Sequence, residues 1–478
     1  MATAVVVGTV IGSGVFKKPH AVAKAVEPFG PAMLAWVLVG VLVVLGALAV
    51  AENAVLFPRA GGNYVFLREA YGRPFGFLWG WVDFWIIRTG SIAALATIFA
   101  ESLCDVLEAT SLPAGQTIAY WPRQFLTVGV ILALAAVNIR GVRWGGLLQL
   151  AVTLVKVGSL VAIAVLPFVA RYLVGPSAPP PQWENLSSAG ARPWAPDWAG
   201  LSALGGAMVG VLWAYHGWMN GPLIAGEVTR PQRNLPIAFL AGVGIIMTLY
   251  LSANLAYFLE IAPKDLAKKE LFENSSVAAE FGRRLLGPVG MVLASAAVMV
   301  SVFGALNGNI LVGPRTLYAM ADDRLAPRAL AAVHPRYHTP ALATAVMVAW
   351  SALMILIVAA VRAYPLPVLR WEAVGLTLDP NLPPDKAPFD VITDFCMFGA
   401  VAFETLGVLS IFVFRRKFPD APRPYRCPGY PVVPAVYGLF MAAVLVNMFV
   451  TQRTEALTGV GFVAMGVAVY AAFVRRGV

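Results

Sequence analysis

The stretch Gly8-Thr9-Val10-Ile11-Gly12-Ser13-Gly14-Val15-Phe16 decides how this chain is read. An apolar run opens at Ala2, and about 20 such residues carry a helix across a hydrocarbon core of roughly 30 Å. Three small residues, Gly12, Ser13 and Gly14, interrupt it about halfway across. Glycine costs about 1 kcal/mol against alanine inside a helix, and it lets backbone approach a ligand closely. Unwound backbone at that depth is tolerated only where it lines a polar cavity. The same residues also suit a small-residue face for helix packing. Taken alone, the stretch leaves both readings open.

Composition fixes the class. The chain of 478 residues is 59% hydrophobic and 13% charged, with a mean hydropathy of +0.74. That excludes a soluble domain and predicts an all-α polytopic membrane protein. The net charge of +10 does not point to nucleic acid, because the basic residues sit in short connections between apolar spans. Cys104, Cys396 and Cys427 show neither pairing nor metal-ligand spacing.

About twelve spans are expected, near 2–26, 31–56, 74–104, 121–139, 145–173, 199–226, 235–261, 287–321, 340–361, 389–416, 431–451 and 456–474. Arg59, Arg68, Arg73, Arg140, Arg230, Arg324, Arg415, Arg423 and Arg475 all fall on one side, with further basic residues beside them. The preference of Lys and Arg for inner loops makes that side cytoplasmic and places both termini there. The opposite side holds longer linkers, namely 174–198, the mixed-charge 262–286 and 363–388.

A second interruption lies in span six, at Trp213-Ala214-Tyr215-His216-Gly217-Trp218-Met219-Asn220-Gly221-Pro222. Gly217, Gly221 and Pro222 do not fit an undisturbed helix. Two broken spans, one and six, are what an inverted repeat produces. The expected division is a first repeat over 1–173, an extracellular linker over 174–198, a second repeat over 199–416 and two further spans over 417–478. Half-helix ends between such repeats suit a carboxylate at one pole and an ammonium at the other. A zwitterionic amino acid satisfies both.

These residues also carry a family resemblance. Gly8–Phe16 resembles the first-span signature of the amino acid–polyamine–organocation superfamily. Pro58-Arg-Ala-Gly61-Gly62-Asn-Tyr64, Ile86-Ile87-Arg88, Ala214-Tyr215-x-Gly217-Trp218 and Glu227-Val-Thr-Arg-Pro231-Gln-Arg-Asn234-Leu-Pro236 resemble its L-type amino acid transporter branch. Asn307-Gly308, His334-Pro335 to Thr339-Pro340, and Arg423-Pro-Tyr-Arg to Pro428-Gly429 extend the match along nearly the whole chain. The resemblance implies a LeuT-type 5+5 inverted repeat, with helices 1 and 6 broken at mid-membrane, and amino acid transport by alternating access across the plasma membrane.

The substrate-binding residues expected on this basis are Val10, Ile11, Gly12, Ser13, Gly14, Trp213, Ala214, Tyr215, His216 and Gly217. Lys156 lies about a dozen residues into span five, where a charge costs about 2.5–3.5 kcal/mol on insertion scales. The resemblance implies that its ammonium replaces the ion of sodium-coupled relatives and joins span five to the first break and to span eight. A desolvated lysine also suits proton loading, so sodium-independent exchange and proton symport stay open. Trp213 matches a gating aromatic of relatives, and Glu227 reads as a cytoplasmic-side gate or helix cap. His216 stands where relatives have a small or acidic residue, open between narrowing the pocket, touching the substrate, titrating near neutral pH and bonding nearby backbone. Asp83 and Glu101 read as the other intramembrane acids, paired with Arg88. No acid lies in either break, which favours neutral amino acids.

No catalytic residue, cofactor or metal site is expected, since His20, His216, His334 and His338 lack metal spacing. A sensor that binds without transporting would have a similar pocket. Eukaryotic L-type relatives pair with a glycoprotein through a cysteine outside spans three and four. The loop after Cys104 has none, so no disulfide-linked heavy chain is expected, and the partners are the amino acid and the bilayer.

Overall fold

The computed structural model describes residues 2–58, 61–113, 116–140, 145–187, 192–227, 230–272, 275–364, 369–371, 376–378 and 388–475. The first span is divided into α1 (Ala2–Val10) and α2 (Gly14–Ala25), and α3 (Phe29–Leu56) is the second. A short helix, α4 (Asn63–Tyr71), leads to a third span built from α5 (Arg73–Val82), a π-helical turn Asp83–Arg88, and α6 (Thr89–Thr110). Then come α7 (Tyr120–Ile139) and α8 (Gly145–Val174). The sixth span is α9 (Trp198–Tyr215), broken before a 3-10 helix at Trp218–Glu227. It is followed by α10 (Pro231–Glu260), the short α11 (Pro263–Leu266), α12 (Val277–Val312), α13 (Pro314–Asp322) and α14 (Ala341–Ala363). The chain continues through α15 (Pro388–Lys417), α16 (Val432–Thr451) and α17 (Arg453–Arg475).

Among the described residues, 11 stretches are long and apolar enough to cross a membrane. The first span is missing from that number because its interruption leaves helices of 9 and 12 residues. Two details differ from expectation. The third linker contains a short antiparallel pair, β1 (Leu369–Trp371) with β2 (Leu376–Leu378). The mixed-charge segment before span eight is not a plain linker, because α12 begins at Val277 and kinks at Gly287, whose φ is 65°. Its start is capped by Ser276 Oγ, which accepts from Ala279 N at 3.1 Å. Glu280 then binds Arg283 Nε at 2.7 Å and Arg284 Nε at 2.8 Å one turn on. The mixed charges are i,i+3 and i,i+4 helix pairs.

Helix packing repeats when each partner is exchanged for the helix five spans away in the other half of the chain. The contact of α1 with α10 recurs as that of α9 with α3, α8 on α12 recurs as α15 on α6, α8 on α10 as α15 on α3, and α7 on α12 as α14 on α6. On the Arg-rich side, Arg68 pairs with Asp323, which also accepts from Tyr64 Oη at 2.6 Å. Arg415 holds Glu52 through Nε at 2.9 Å and Nη2 at 2.8 Å. Arg423 donates to the carbonyls of Phe414 at 3.1 Å and Phe418 at 2.6 Å, satisfying the C-terminal end of α15. On the other side Lys17 meets Glu101 at 3.0 Å and the Ser275 carbonyl at 2.9 Å.

The two interruptions touch. A Cβ on Gly14 would stand 2.3 Å from Ala214 Cα, and one on Gly217, whose φ is +106°, would stand 3.0 Å from the Thr9 carbonyl oxygen. Gly14→Ala therefore forces backbone apart and is expected to cost about 1–3 kcal/mol, read as a lowered melting temperature of the purified protein. Gly158→Ala in α8, with nothing within 4 Å, is expected to be neutral or to gain up to about 1 kcal/mol. Equal melting temperatures for the two variants would contradict this packing.

Candidate functional site

Breaking a helix strands its last carbonyls. At the first break four carbonyls are met by side chains. Lys156, fully buried in α8, donates from Nζ to Gly8 O and Ile11 O, both at 2.8 Å. Tyr250 of α10 brings Oη to 3.3 Å from Val10 O and 3.0 Å from Ala214 O, so one hydroxyl reaches both interrupted spans. Ser301 of α12 donates to Gly12 O at 3.4 Å. A positive charge at the C-terminal end of α1 is also favoured by the helix dipole. Beyond the break, α2 starts with Ser13 as its N-cap and no side-chain cap bond, leaving first-turn N–H groups for an anion.

The space between the breaks is small. A cavity of about 30 Å³ is lined by Thr9, Val10, Gly12, Ser13, Gly14, Ser91, Leu95, Trp213, His216, Gly217, Asn220, Ala305 and Asn309. That volume takes water-sized groups and is too small for an amino acid. Trp213 covers one wall, with Nε1 3.4 Å from Ser13 Oγ and its ring stacked on His216 at 6.0 Å. Ser91 Oγ is buried without a hydrogen-bond partner. Behind His216, Gly217 and Asn220 lies a second chamber of about 10 Å³, reached by Asp83, Arg88 and Glu404. Arg88 donates to Asn220 Oδ1 at 3.1 Å and Asn309 Oδ1 at 2.9 Å, and meets Asp83 at 3.3 Å. One guanidinium thus ties spans three, six and eight.

The amino acid permease family model matches residues 1–473. The chain belongs to the amino acid permease family. Its relatives include the serine/threonine exchanger SteT of Bacillus subtilis (strain 168), 29% identical over 99% of this chain and 96% of that protein. The b(0,+)-type amino acid transporter 1 of Homo sapiens is 27% identical over 98% of this chain and 86% of its own length. The large neutral amino acids transporter small subunit 2 of Homo sapiens is 27% identical over 98% and 78%. This permease is accordingly a multi-pass membrane transporter of amino acids and not an enzyme.

Of the expected binding residues, Val10, Gly12, Ser13, Gly14, Trp213, His216 and Gly217 line the central cavity, and three do not. Ile11 gives its carbonyl to Lys156. Ala214 is spent on packing against Gly14 and on the Tyr250 bond. Tyr215 turns toward α3 and α10, its ring 6.4 Å from Trp36 and 5.1 Å from Tyr250. The side chain of Glu227 lies outside the described residues. Asp83 pairs with Arg88 as expected, but Glu101 pairs with Lys17 instead, because it lies more than three turns further along the third span. The list of intramembrane acids was also too short, since Glu404 of α15 approaches His216 Nδ1 to 3.6 Å. An ionisable residue within an apolar span was the available signal. Tyr250 and Ser301 carried no such signal.

Lys156→Ala leaves the Gly8 and Ile11 carbonyls without their donor. Hydrogen bonds to charged groups are worth about 1.5–3 kcal/mol, so amino acid flux is expected to fall at least about tenfold. Yield and monodispersity of the purified variant report on insertion. Wild-type flux in a well-folded variant would contradict a role for this ammonium.

Proposed function

We propose that this permease exchanges neutral L-amino acids across the plasma membrane by alternating access, without sodium. The observation that carries the reading is the Lys156 ammonium on the Gly8 and Ile11 carbonyls, where the end of α1 would otherwise attract a free cation. The ammonium also lies against α12, its Nζ 3.2 Å from where a Gly304 Cβ would stand. A fixed charge there substitutes for a coupling ion. Residues 1–173 and 199–416 act as the two repeats, with 174–198 outside and 417–478 as two added spans. The recurrence of packing pairs at an offset of five spans supports that division. Arg68, Arg73, Arg324, Arg415 and Arg423 share one side, which supports a cytoplasmic location for it and for both termini.

The substrate carboxylate is received at the uncapped start of α2 and the ammonium by carbonyls of the breaks. Trp213 gates the pocket, and Glu227 contributes at the cytoplasmic end. The names of the relatives, an exchanger of serine and threonine and a transporter of large neutral amino acids, support both exchange and neutral cargo. Cys104, Cys396 and Cys427 are each buried, and this permease functions without a disulfide-linked heavy chain.

Proteoliposomes in sodium-free buffer test the reading. Uptake of a labelled neutral amino acid mixture is expected to rise at least about tenfold when unlabelled amino acids are supplied inside. Uptake that ignores internal amino acid but follows an inward proton gradient would replace exchange by proton symport. Binding with no flux under any gradient would make the protein a sensor.

A further inference from the structure

The second break is met from behind by an acid that the exchange reading does not use. Glu404, only 7% exposed, sits in α15 with Oε1 3.6 Å from His216 Nδ1, and it shares the chamber of about 10 Å³ with Asp83, Arg88 and Asn220. We infer that Glu404, acting with His216, determines specificity, selecting amino acids whose side chains are short and carry a hydrogen-bond donor, a hydroxyl or a carboxamide, over branched apolar and aromatic ones. This inference rests on the amino acid exchange proposed above and names its substrate class.

Packing supplies the first argument. Exchanging helices five spans apart between the two halves turns α8 into α15, the first break into the second, and span eight into span three, and the helix contacts repeat under that exchange. Lys156 of α8 touches the first break and Gly304 in span eight. Glu404 of α15 faces the second break at His216 and shares its chamber with Asp83 and Arg88 of span three. The two ionisable groups occupy corresponding places with opposite charge. Lys156 uses its donors on backbone carbonyls, whereas the Glu404 carboxyl meets side chains, those of Trp218 and His216. The carboxyl accepts from the Trp218 side chain and lines the chamber with its remaining acceptor capacity.

Chemistry supplies the second. Seven of the residues around the chamber, Asn63, Asp83, Arg88, His216, Asn220, Thr316 and Glu404, carry polar or charged groups, and Arg88 Nε beside it is buried without a partner. An apolar side chain entering there would strip water from these groups and return no hydrogen bond, at about 1–3 kcal/mol for each group left unsatisfied. A site built to bond a substrate hydroxyl or amide rejects the analogue lacking it far more strongly than an apolar pocket rejects an added hydroxyl.

The test is competition in reconstituted exchange by serine, threonine, asparagine, glutamine, leucine and phenylalanine, for wild type, Glu404→Gln and Glu404→Leu. Wild type is expected to favour the polar set over leucine by at least about tenfold, and Glu404→Gln to keep that order. Glu404→Leu is expected to narrow the ratio at least about tenfold while retaining leucine exchange. Should Glu404→Leu fail to fold, Glu404→Met is read in the same way. A wild type that prefers leucine or phenylalanine, or an apolar replacement that lowers all substrates equally, overturns the inference while leaving exchange standing. Absence of exchange for every amino acid overturns the underlying reading instead.

Discussion

A carbonyl released from its helix inside a bilayer has no water to accept from, so every break in a spanning helix must be matched by a donor from elsewhere. The arrangement of this permease follows from that constraint. The Lys156 ammonium, the Tyr250 hydroxyl and the Ser301 hydroxyl come from three different spans and converge on the carbonyls of residues 8, 10, 11 and 12. Tyr250 reaches the end of α9 as well, which couples the two broken spans through one side chain. The adjoining start of α2 carries no side-chain cap bond, which leaves first-turn N–H groups for an anion.

The second break is built differently. Its backbone bonds are largely local, with His216 N to Trp213 O at 3.1 Å and Asn220 N to Gly217 O at 2.9 Å. Polarity is supplied instead by side chains behind it, arranged around Arg88 and Glu404. One break thus presents mainly backbone groups, and the other presents side chains. Close contact between Gly14 and Ala214 and between Gly217 and Thr9 leaves a central space of only about 30 Å³. In the proposed mechanism, substrate binding at this place requires the half-helices to separate.

Much of this was legible in the residues. Gly12-Ser13-Gly14 and Gly217 with Gly221 and Pro222 mark the breaks because glycine and proline act locally. Lys156 stood out because a charge amid apolar residues needs a partner. What escaped depended on contacts between distant segments. Tyr250 is uncharged and unremarkable in its own span, and its acceptors lie 240 and 36 positions away. Glu101 was assigned to Arg88 from proximity in sequence, whereas Lys17, 84 positions distant, takes it in space. The helix from Val277 was hidden because its charges resemble those of a loop until read at helical spacing.

The central claim is that an amino acid binds between the two breaks, against the first turn of α2. Its most direct test replaces the buried native cysteines and places a single cysteine at Ser13, then measures the rate of modification by a small thiol reagent in proteoliposomes. Protection by a transported amino acid, and not by an amino acid the protein does not carry, is the predicted result. Modification that proceeds at the same rate with saturating substrate present would place the binding site elsewhere.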